Sequence, residues 1–327
     1  MSYPILHSRR FSAFLFAVAA CVPPAHAQGW KPDKPIRLIV PFAPGGAADV
    51  VSRVVAERLA AALGKQVVPD NRPGATGTIG YEMLAKAAPD GYTIAEASDA
   101  ATVSPFIYRK LTWDPRTSFA PISLLTTQPL VLAVSASVRA ATVQEFIALA
   151  RAKPGFYSFG SSGTGHPQHL TGELIKKVAG FDMNHVPYKG GGQAAIDLVG
   201  GQIPVAVLGS SPLIPYHRAG KVEILAVTAK KRSAALPEVP TLAEAGIAGI
   251  DVSQWLSLVA PAKTPQAIVA RLNAEVVRIL AVPATREKLE AAGFEVTPSS
   301  PQELATLIRE SMARWGPLVK ELKLDLD

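Results

Sequence analysis

Three times along this chain a short β-rich run gives way to a glycine-rich turn and then to residues at helical spacing, and that recurrence limits the folds open to it. Lys34-Pro35-Ile36-Arg37-Leu38-Ile39-Val40 reads as a strand and Pro41-Phe42-Ala43-Pro44-Gly45-Gly46 as its turn. Residues 47–63 follow as a helix with Val51, Val54, Val55, Leu59 and Ala62 on one face and Gly64 as its stop. Phe156-Tyr157-Ser158-Phe159 leads into Gly160-Ser161-Ser162-Gly163-Thr164-Gly165 and a helix that starts at Pro167 and carries Leu170, Leu174, Ile175 and Val178. Val186-Pro187-Tyr188 runs into Lys189-Gly190-Gly191-Gly192 and a short helix over residues 194–199. Strand, turn and helix in repeated succession predict an α/β fold of parallel sheets covered by helices.

Further strands are predicted over residues 92–97, 130–134, 205–208, 224–228 and 255–260, and no internal repeat is present. Thr264-Pro265 opens a helix through Ile268, Leu272, Val276 and Ile279, and Ser300-Pro301-Gln302-Glu303 supplies a capping box for the last one. Leu236-Pro237-Glu238-Val239-Pro240 reads as a surface connection. A chain of 327 residues divides more naturally into two lobes than one.

Residues 1–27 read as a signal peptide: Arg9 and Arg10 precede an apolar run over residues 11–22, and Ala25-His26-Ala27 offers a cleavage site. The single cysteine, Cys21, lies inside this segment and raises the alternative of a lipid-anchored N-terminus, against which Ala25-His26-Ala27 is the better ordinary site. Cleavage after Ala27 leaves no thiol, which excludes disulfides, thiolate metal sites and thiol catalysis. It also removes two of the basic groups behind the formal charge of +7. The remaining basic residues are scattered, with Lys230-Lys231-Arg232 and Lys176-Lys177 the densest groups, so nucleic acid is not an expected partner.

Turns that leave the C-terminal ends of parallel strands line a crevice, and the following helices aim unpaired N–H groups into it, which suits a small anion. Gly45 and Gly46 allow close backbone approach, and Ser161, Ser162 and Thr164 offer hydroxyls. Such turns also serve simply to reverse a chain. Asp49, in the first helical turn, either orients a ligand or caps the helix and offsets its dipole, the second being the commoner use. Enzyme motifs are missing: there is no Gly-x-x-x-x-Gly-Lys, Gly-x-Ser-x-Gly, Gly-x-Gly-x-x-Gly or His-Glu-x-x-His. His166 and His169 are spaced for a metal, but without neighbouring ligands they read as partly exposed helix surface, so neither metal nor cofactor is expected.

Together these segments resemble the periplasmic receptors of tripartite tricarboxylate transporters, the TctC or Bug family, over almost the whole mature chain. The landmarks are residues 34–42, Gly45-Gly46 with Asp49, Asn71-Arg72-Pro73-Gly74-Ala75, Pro89-Asp90-Gly91-Tyr92-Thr93, Val186-Pro187-Tyr188-Lys189-Gly190, Gly200-Gly201-Gln202, Ala219-Gly220-Lys221, Leu225-Ala226-Val227-Thr228 and residues 239–246. The resemblance implies a type II periplasmic binding fold: two doubly wound lobes, residues 28–127 with 251–327 and residues 128–250, crossed near 126–129 and 250–254. It implies a monomer that holds a mono- or dicarboxylate through Phe42, Ala43, Gly45, Gly46, Asp49, Ser98 and Thr102 on one side. Ser161, Ser162, Gly163, Thr164, Lys189 and Leu208 face them on the other. The sequence departs from the family pattern at Leu208-Gly209-Ser210, where many relatives carry an acid, and at Ser104-Pro105, where Asn-Pro is common; both bear on ligand identity.

The expected function is that of an exported receptor that hands a small carboxylate to membrane permease subunits. A receptor that signals through a sensor kinase is the alternative. A secreted α/β hydrolase is the third reading, and the chain offers it no convincing nucleophile, base and oxyanion hole.

Overall fold

The computed structural model describes Met1 and residues 30–324, so the leader, its cleavage after Ala27 and the Cys21 alternative lie outside the described residues. Strand β1 (Ile36–Val40) runs parallel to β2 (Val67–Asn71) on one side and to β3 (Thr93–Ser98) on the other. Helix α1 (Ala47–Leu63) covers them with Val51, Val55 and Leu59 fully buried, each worth about 1.5–3 kcal/mol relative to exposure. It stops at Gly64, whose φ of 68° only glycine adopts readily. Helices α2 (Thr78–Ala85) and α3 (Asp99–Ile107) follow.

Strand β4 (Phe119–Ser135) joins the two halves of the molecule. Up to Pro129 it pairs antiparallel with β9 (Ser253–Pro261), which in turn pairs antiparallel with β3. From Leu130 onward it pairs antiparallel with β7 (Val205–Gly209) and β8 (Val222–Val227). Strands β5 (Ser158–Ser161) and β6 (Asn184–Pro187) extend that second half in parallel. Helices α4 (Val143–Ala152), α5 (Pro167–Ala179), α6 (Gly191–Val199) and α7 (Ile214–Arg218) clothe it. The chain then returns through β9 to α8 (Gln266–Ala281), α9 (Pro283–Ala291), β10 (Glu295–Val296) and α10 (Pro301–Glu321).

Three features differ from the sequence reading. The sheets are mixed, because β4 carries the chain across and β9 brings it back, and adjacent strands with opposite errands must run antiparallel. The strand predicted over residues 130–134 is the end of a 17-residue strand whose first part is masked by Pro121 and Pro129. Pro121 sits beside a register shift in the pairing with β9, where a missing N–H is tolerated. Strand β5 begins two residues later than predicted, with Phe156 left 67% exposed, so Ser161 ends the strand instead of opening the turn.

The cores of the halves are separate but strapped together. Helix α10, capped through the predicted Ser300–Glu303 box, buries Leu304, Ile308 and Met312 against the first half. Its next turns bury Trp315 and Val319 against the second. Val103 and Ile107 of α3 join the same second core. The predicted surface connection at residues 236–240 keeps Pro237 exposed but buries Leu236 and Val239. Among the described residues no helix is long and apolar enough to cross a membrane.

Candidate ligand-binding site

The turn after β1 is organised by one carboxylate. Asp49 Oδ2 accepts from the Gly45 N–H at 3.0 Å and from Arg53 Nε at 2.9 Å, while Oδ1 accepts from Asn71 Nδ2 at 3.0 Å. The same Asn71 amide donates to the Phe42 carbonyl at 2.9 Å, fixing both ends of the turn. Burial alone would raise the Asp49 pKa, but the bonds from Arg53, Gly45 and Asn71 outweigh it and hold the carboxyl below its ordinary value. Both oxygens thus bond to protein groups, and Asp49 shapes the turn.

The turn after β5 is held by neutral rings and amides. The Ser162 N–H donates to Gln168 Oε1 at 2.9 Å, the Gly165 N–H to His169 Nδ1 at 3.0 Å, and the Gln168 N–H to His166 Nδ1 at 3.2 Å. His169 stacks on His185 with ring centroids 3.8 Å apart. Burial pulls His166 to about 3, with His169 nearby adding to the effect, and burial with Lys176 pulls His169 to about 4. Burial, His169 and Lys176 take His185 to about 3. Uncharged imidazoles are what acceptor nitrogens require. His166 and His169, read from sequence as helix surface, are 1% and 5% exposed because the backbone of the turn bonds to them.

The halves meet across the cleft: the Phe42 and His166 rings pack edge to face at 5.5 Å, the turn after β1 meets the turn after β6, and the loop after β2 meets the turn after β5. The Ala43 N–H donates to the Lys189 carbonyl at 3.0 Å, and Thr76 Oγ1 to the Thr164 carbonyl at 2.7 Å. Thr76 holds a φ of 54°, unfavourable for a β-branched residue, so strain is concentrated at this bond across the cleft. A Cβ on Gly192 would lie 2.7 Å from the Pro44 carbonyl oxygen and 2.8 Å from the Gly45 carbonyl carbon, so only glycine permits the approach.

Two chambers remain at this junction. The larger, about 340 Å³, is lined by Phe42, residues 74–77, Tyr108, Ser162, Gly163, Thr164 and Pro187-Tyr188-Lys189. Its size falls within the range of small-molecule pockets. Tyr188 is fixed there by donating to Asp197 at 2.8 Å; burial and that bond push its hydroxyl up to about 12. The smaller, about 20 Å³, lies between the first turn of α1, Ser162, His166, Gln168, Gly191, Gly209, Pro212 and Gln254. It has room for one water-sized group. Phe42 and Ser162 border both chambers.

Of the residues singled out from sequence, Phe42, Gly46, Ser162, Gly163, Thr164 and Lys189 line a chamber, and Ala43 and Gly45 shape the turn beside them. Four more sit elsewhere. Ser161 is fully buried at the end of β5, where its hydroxyl donates to the Gly163 carbonyl at 3.1 Å, accepts from the Gly163 N–H and meets His185 Nε2 at 2.7 Å. Thr102 bonds the Asp99 carbonyl and Ser311, which ties α3 to α10. Ser98 is fully buried at the start of α3, and Leu208 is fully buried in the second core. Thr76, Tyr108, Gln168 and Gln254 were missed, and His166 was singled out only for its metal-like spacing with His169. No local pattern marks those four as neighbours, since they come from a turn, two helices and a strand end that only the fold brings together.

Two α/β halves joined by crossing strands and meeting at a cleft rich in N–H donors define the periplasmic binding protein class. The model of the tripartite tricarboxylate transporter family receptor, TctC, matches residues 51–324. Protein BugT of Bordetella pertussis is 34% identical over 311 residues, 93% of this chain and 94% of that protein. A UPF0065 protein from the tcbD–tcbE intergenic region of Pseudomonas sp. (strain P51) is 37% identical over 295 residues, 90% of this chain and 88% of that protein. Among solved structures, R. palustris Rpa4515 with adipate superposes with a TM-score of 0.86 at 34% identity, covering 88% of this chain and 97% of that one. MatC from Rhodopseudomonas palustris with bound malate gives 0.84 at 32% identity, covering 88% and 99%. The chain belongs to the TctC family of receptors, as its landmark motifs suggested, and shares the Bug proteins' periplasmic binding fold.

Proposed function

We propose that this chain is a periplasmic receptor that captures a small carboxylate between its glycine turns and delivers it to the membrane subunits of a tripartite tricarboxylate transporter. The observation that carries the reading is the junction of the turns: a small donor-lined chamber that suits one polar end shares Phe42 and Ser162 as walls with a larger chamber that suits the rest of the molecule. Adipate and malate in two structures of similar fold support a carboxylate as that polar end. In this reading residues 28–127 with 251–327 form one lobe and residues 128–250 the other. They hinge where β4 changes partners between Pro129 and Leu130.

Hydrolysis finds no support in the Ser161–His185 pair. The Ser161 hydroxyl already donates to a carbonyl, is fully buried and borders neither chamber, so no acyl group can reach it. The test is mass spectrometry of ligand released from natively purified protein, followed by melting curves with mono- and dicarboxylates that include adipate and malate. A ligand at a hundred times its Kd stabilises the fold by about 2.7 kcal/mol and returns unchanged. Conversion of the acid to product, or an unmoved Tm across the panel, overturns the reading.

A further inference from the structure

Three buried side chains of the small chamber each retain one uncommitted donor, and in each case a backbone N–H dictates which atom it is. The Gln168 N–H donates to His166 Nδ1, so that nitrogen is the bare one and the neutral ring carries its hydrogen on Nε2. The Ser162 N–H donates to Gln168 Oε1, which leaves the Gln168 Nε2 amide group. The Ser211 N–H donates to Gln128 Oε1 at 3.0 Å; Gln128 Nε2 therefore donates, and at 2.8 Å it meets Gln254 Oε1, leaving the Gln254 Nε2 amide group.

His166, Gln168 and Gln254 are 1%, 2% and 4% exposed and all line the same chamber. Among the described residues no acceptor engages these three groups. Buried polar side chains are almost always paired, so three donors left facing one small chamber call for an acceptor from outside the chain. The first turn of α1 borders the same space and adds the positive end of its dipole.

We infer that His166 Nε2–H and the Gln168 and Gln254 amides are direct ligand donors that together grip one carboxylate oxygen. The inference rests on the carboxylate reading above and deepens it. The anchor contains no cation: every contributing group is neutral, and the nearby Asp49 is already balanced by Arg53. A chamber that offers donors and has room for one atom accepts a carboxylate oxygen and rejects an ammonium, which brings only donors. The low pKa of His166, about 3, agrees with a ring that stays neutral as it donates.

The experiment is calorimetric titration of adipate and malate into the wild-type protein and three variants whose melting curves show them folded. His166→Phe keeps the ring volume without a donor and weakens binding about tenfold or more, as loss of a hydrogen bond to a charged group does. His166→Gln, whose amide puts an N–H near the former Nε2, stays within about threefold of wild type. Gln254→Glu keeps the oxygen that Gln128 needs and replaces the donor by a carboxylate oxygen; at pH 8 it weakens binding about tenfold or more. Weak dependence of the wild-type Kd on ionic strength supports an uncharged anchor. Wild-type binding by both His166→Phe and Gln254→Glu overturns the inference, as does a His166→Gln variant as poor as His166→Phe. If wild-type protein binds neither these acids nor any other carboxylate, the receptor reading fails first and this one with it.

Discussion

The two turns that form the cleft do the same work with opposite chemistry. In the first, a single ionised carboxylate, Asp49, gathers the Gly45 N–H, Arg53 and Asn71 around itself. In the second, backbone N–H groups bond to imidazole nitrogens and to one amide oxygen, and none of those acceptors carries charge. A tight glycine turn exposes more N–H groups than its own chain can satisfy, and a buried donor left unmet costs about 1–3 kcal/mol. Either solution removes that cost. They differ in how they respond to protons.

The largest effect tests the contact between the first of these turns and the start of α6. Gly192→Val drives a branched side chain into the backbone of Pro44 and Gly45, so the start of α6 no longer closes on the turn after β1. Ligand affinity falls by about two orders of magnitude while the Tm shifts little, since each half keeps its own core. Calorimetry with adipate alongside a melting curve checks this, and unchanged affinity would show that this contact is dispensable.

Proton sensitivity comes next. His166, His169 and His185 bind protons in the folded state only near pH 3–4, against about 6.5 unfolded. The unfolded chain therefore holds more protons at intermediate pH. Their stabilisation is complete above pH 6.5 and falls by about 1.4 kcal/mol per histidine for each unit as pH drops toward 4. Asp49 behaves otherwise: its folded pKa lies below the ordinary 3.8, so its contribution persists down to that value and is lost only beneath it.

Hydrogen exchange, corrected for intrinsic rates, should show β5 and the start of α5 losing protection between pH 7 and pH 5 while the turn before α1 holds. Equal loss in both would dissolve the distinction. The first half also holds Glu96 and Asp99, whose carboxylates no described side chain hydrogen-bonds and whose pKa values burial raises well above the ordinary range. Their stabilising effect is present at low pH and lost as pH rises, a slope opposite to that of the histidines. Protection around β3 and α3 should accordingly improve on acidification.

Two smaller effects separate structure from recognition. Asp49→Ala leaves the Gly45 N–H and one Asn71 hydrogen without their acceptor and costs about 1–3 kcal/mol in denaturant unfolding, with affinity falling as the turn loosens. Should affinity vanish with stability intact, Asp49 would be a ligand contact after all. Lys189 is exposed at the rim of the large chamber, and Lys189→Ala should weaken dicarboxylates by about fivefold or less and leave monocarboxylates unchanged.

Much of this architecture was legible without coordinates. Helix α1 begins and ends where its apolar spacing and Gly64 place it, and the Ser300–Glu303 box caps α10 as written. Those are local signals, carried by residues within a turn or two of one another. Prolines hid the first part of β4, because a strand with a bulge at Pro121 departs from the local pattern that announces strands. The length of β5 depended on what lay beside it, and that moved Ser161 from the turn into the sheet.

The sequence by itself determined the class of the protein: glycine turns after β-rich runs, in the order and spacing of a receptor family. Tertiary structure alone decided which polar side chains stay free at the cleft. Asp49, which the family resemblance implied as a contact, bonds Arg53 and Asn71, the latter 22 residues away, while His166 and Gln254 looked incidental and hold free donors in one chamber. A strand or cap is set by neighbours in the chain, but whether a polar atom is free depends on every group packed around it, and those groups come from distant segments.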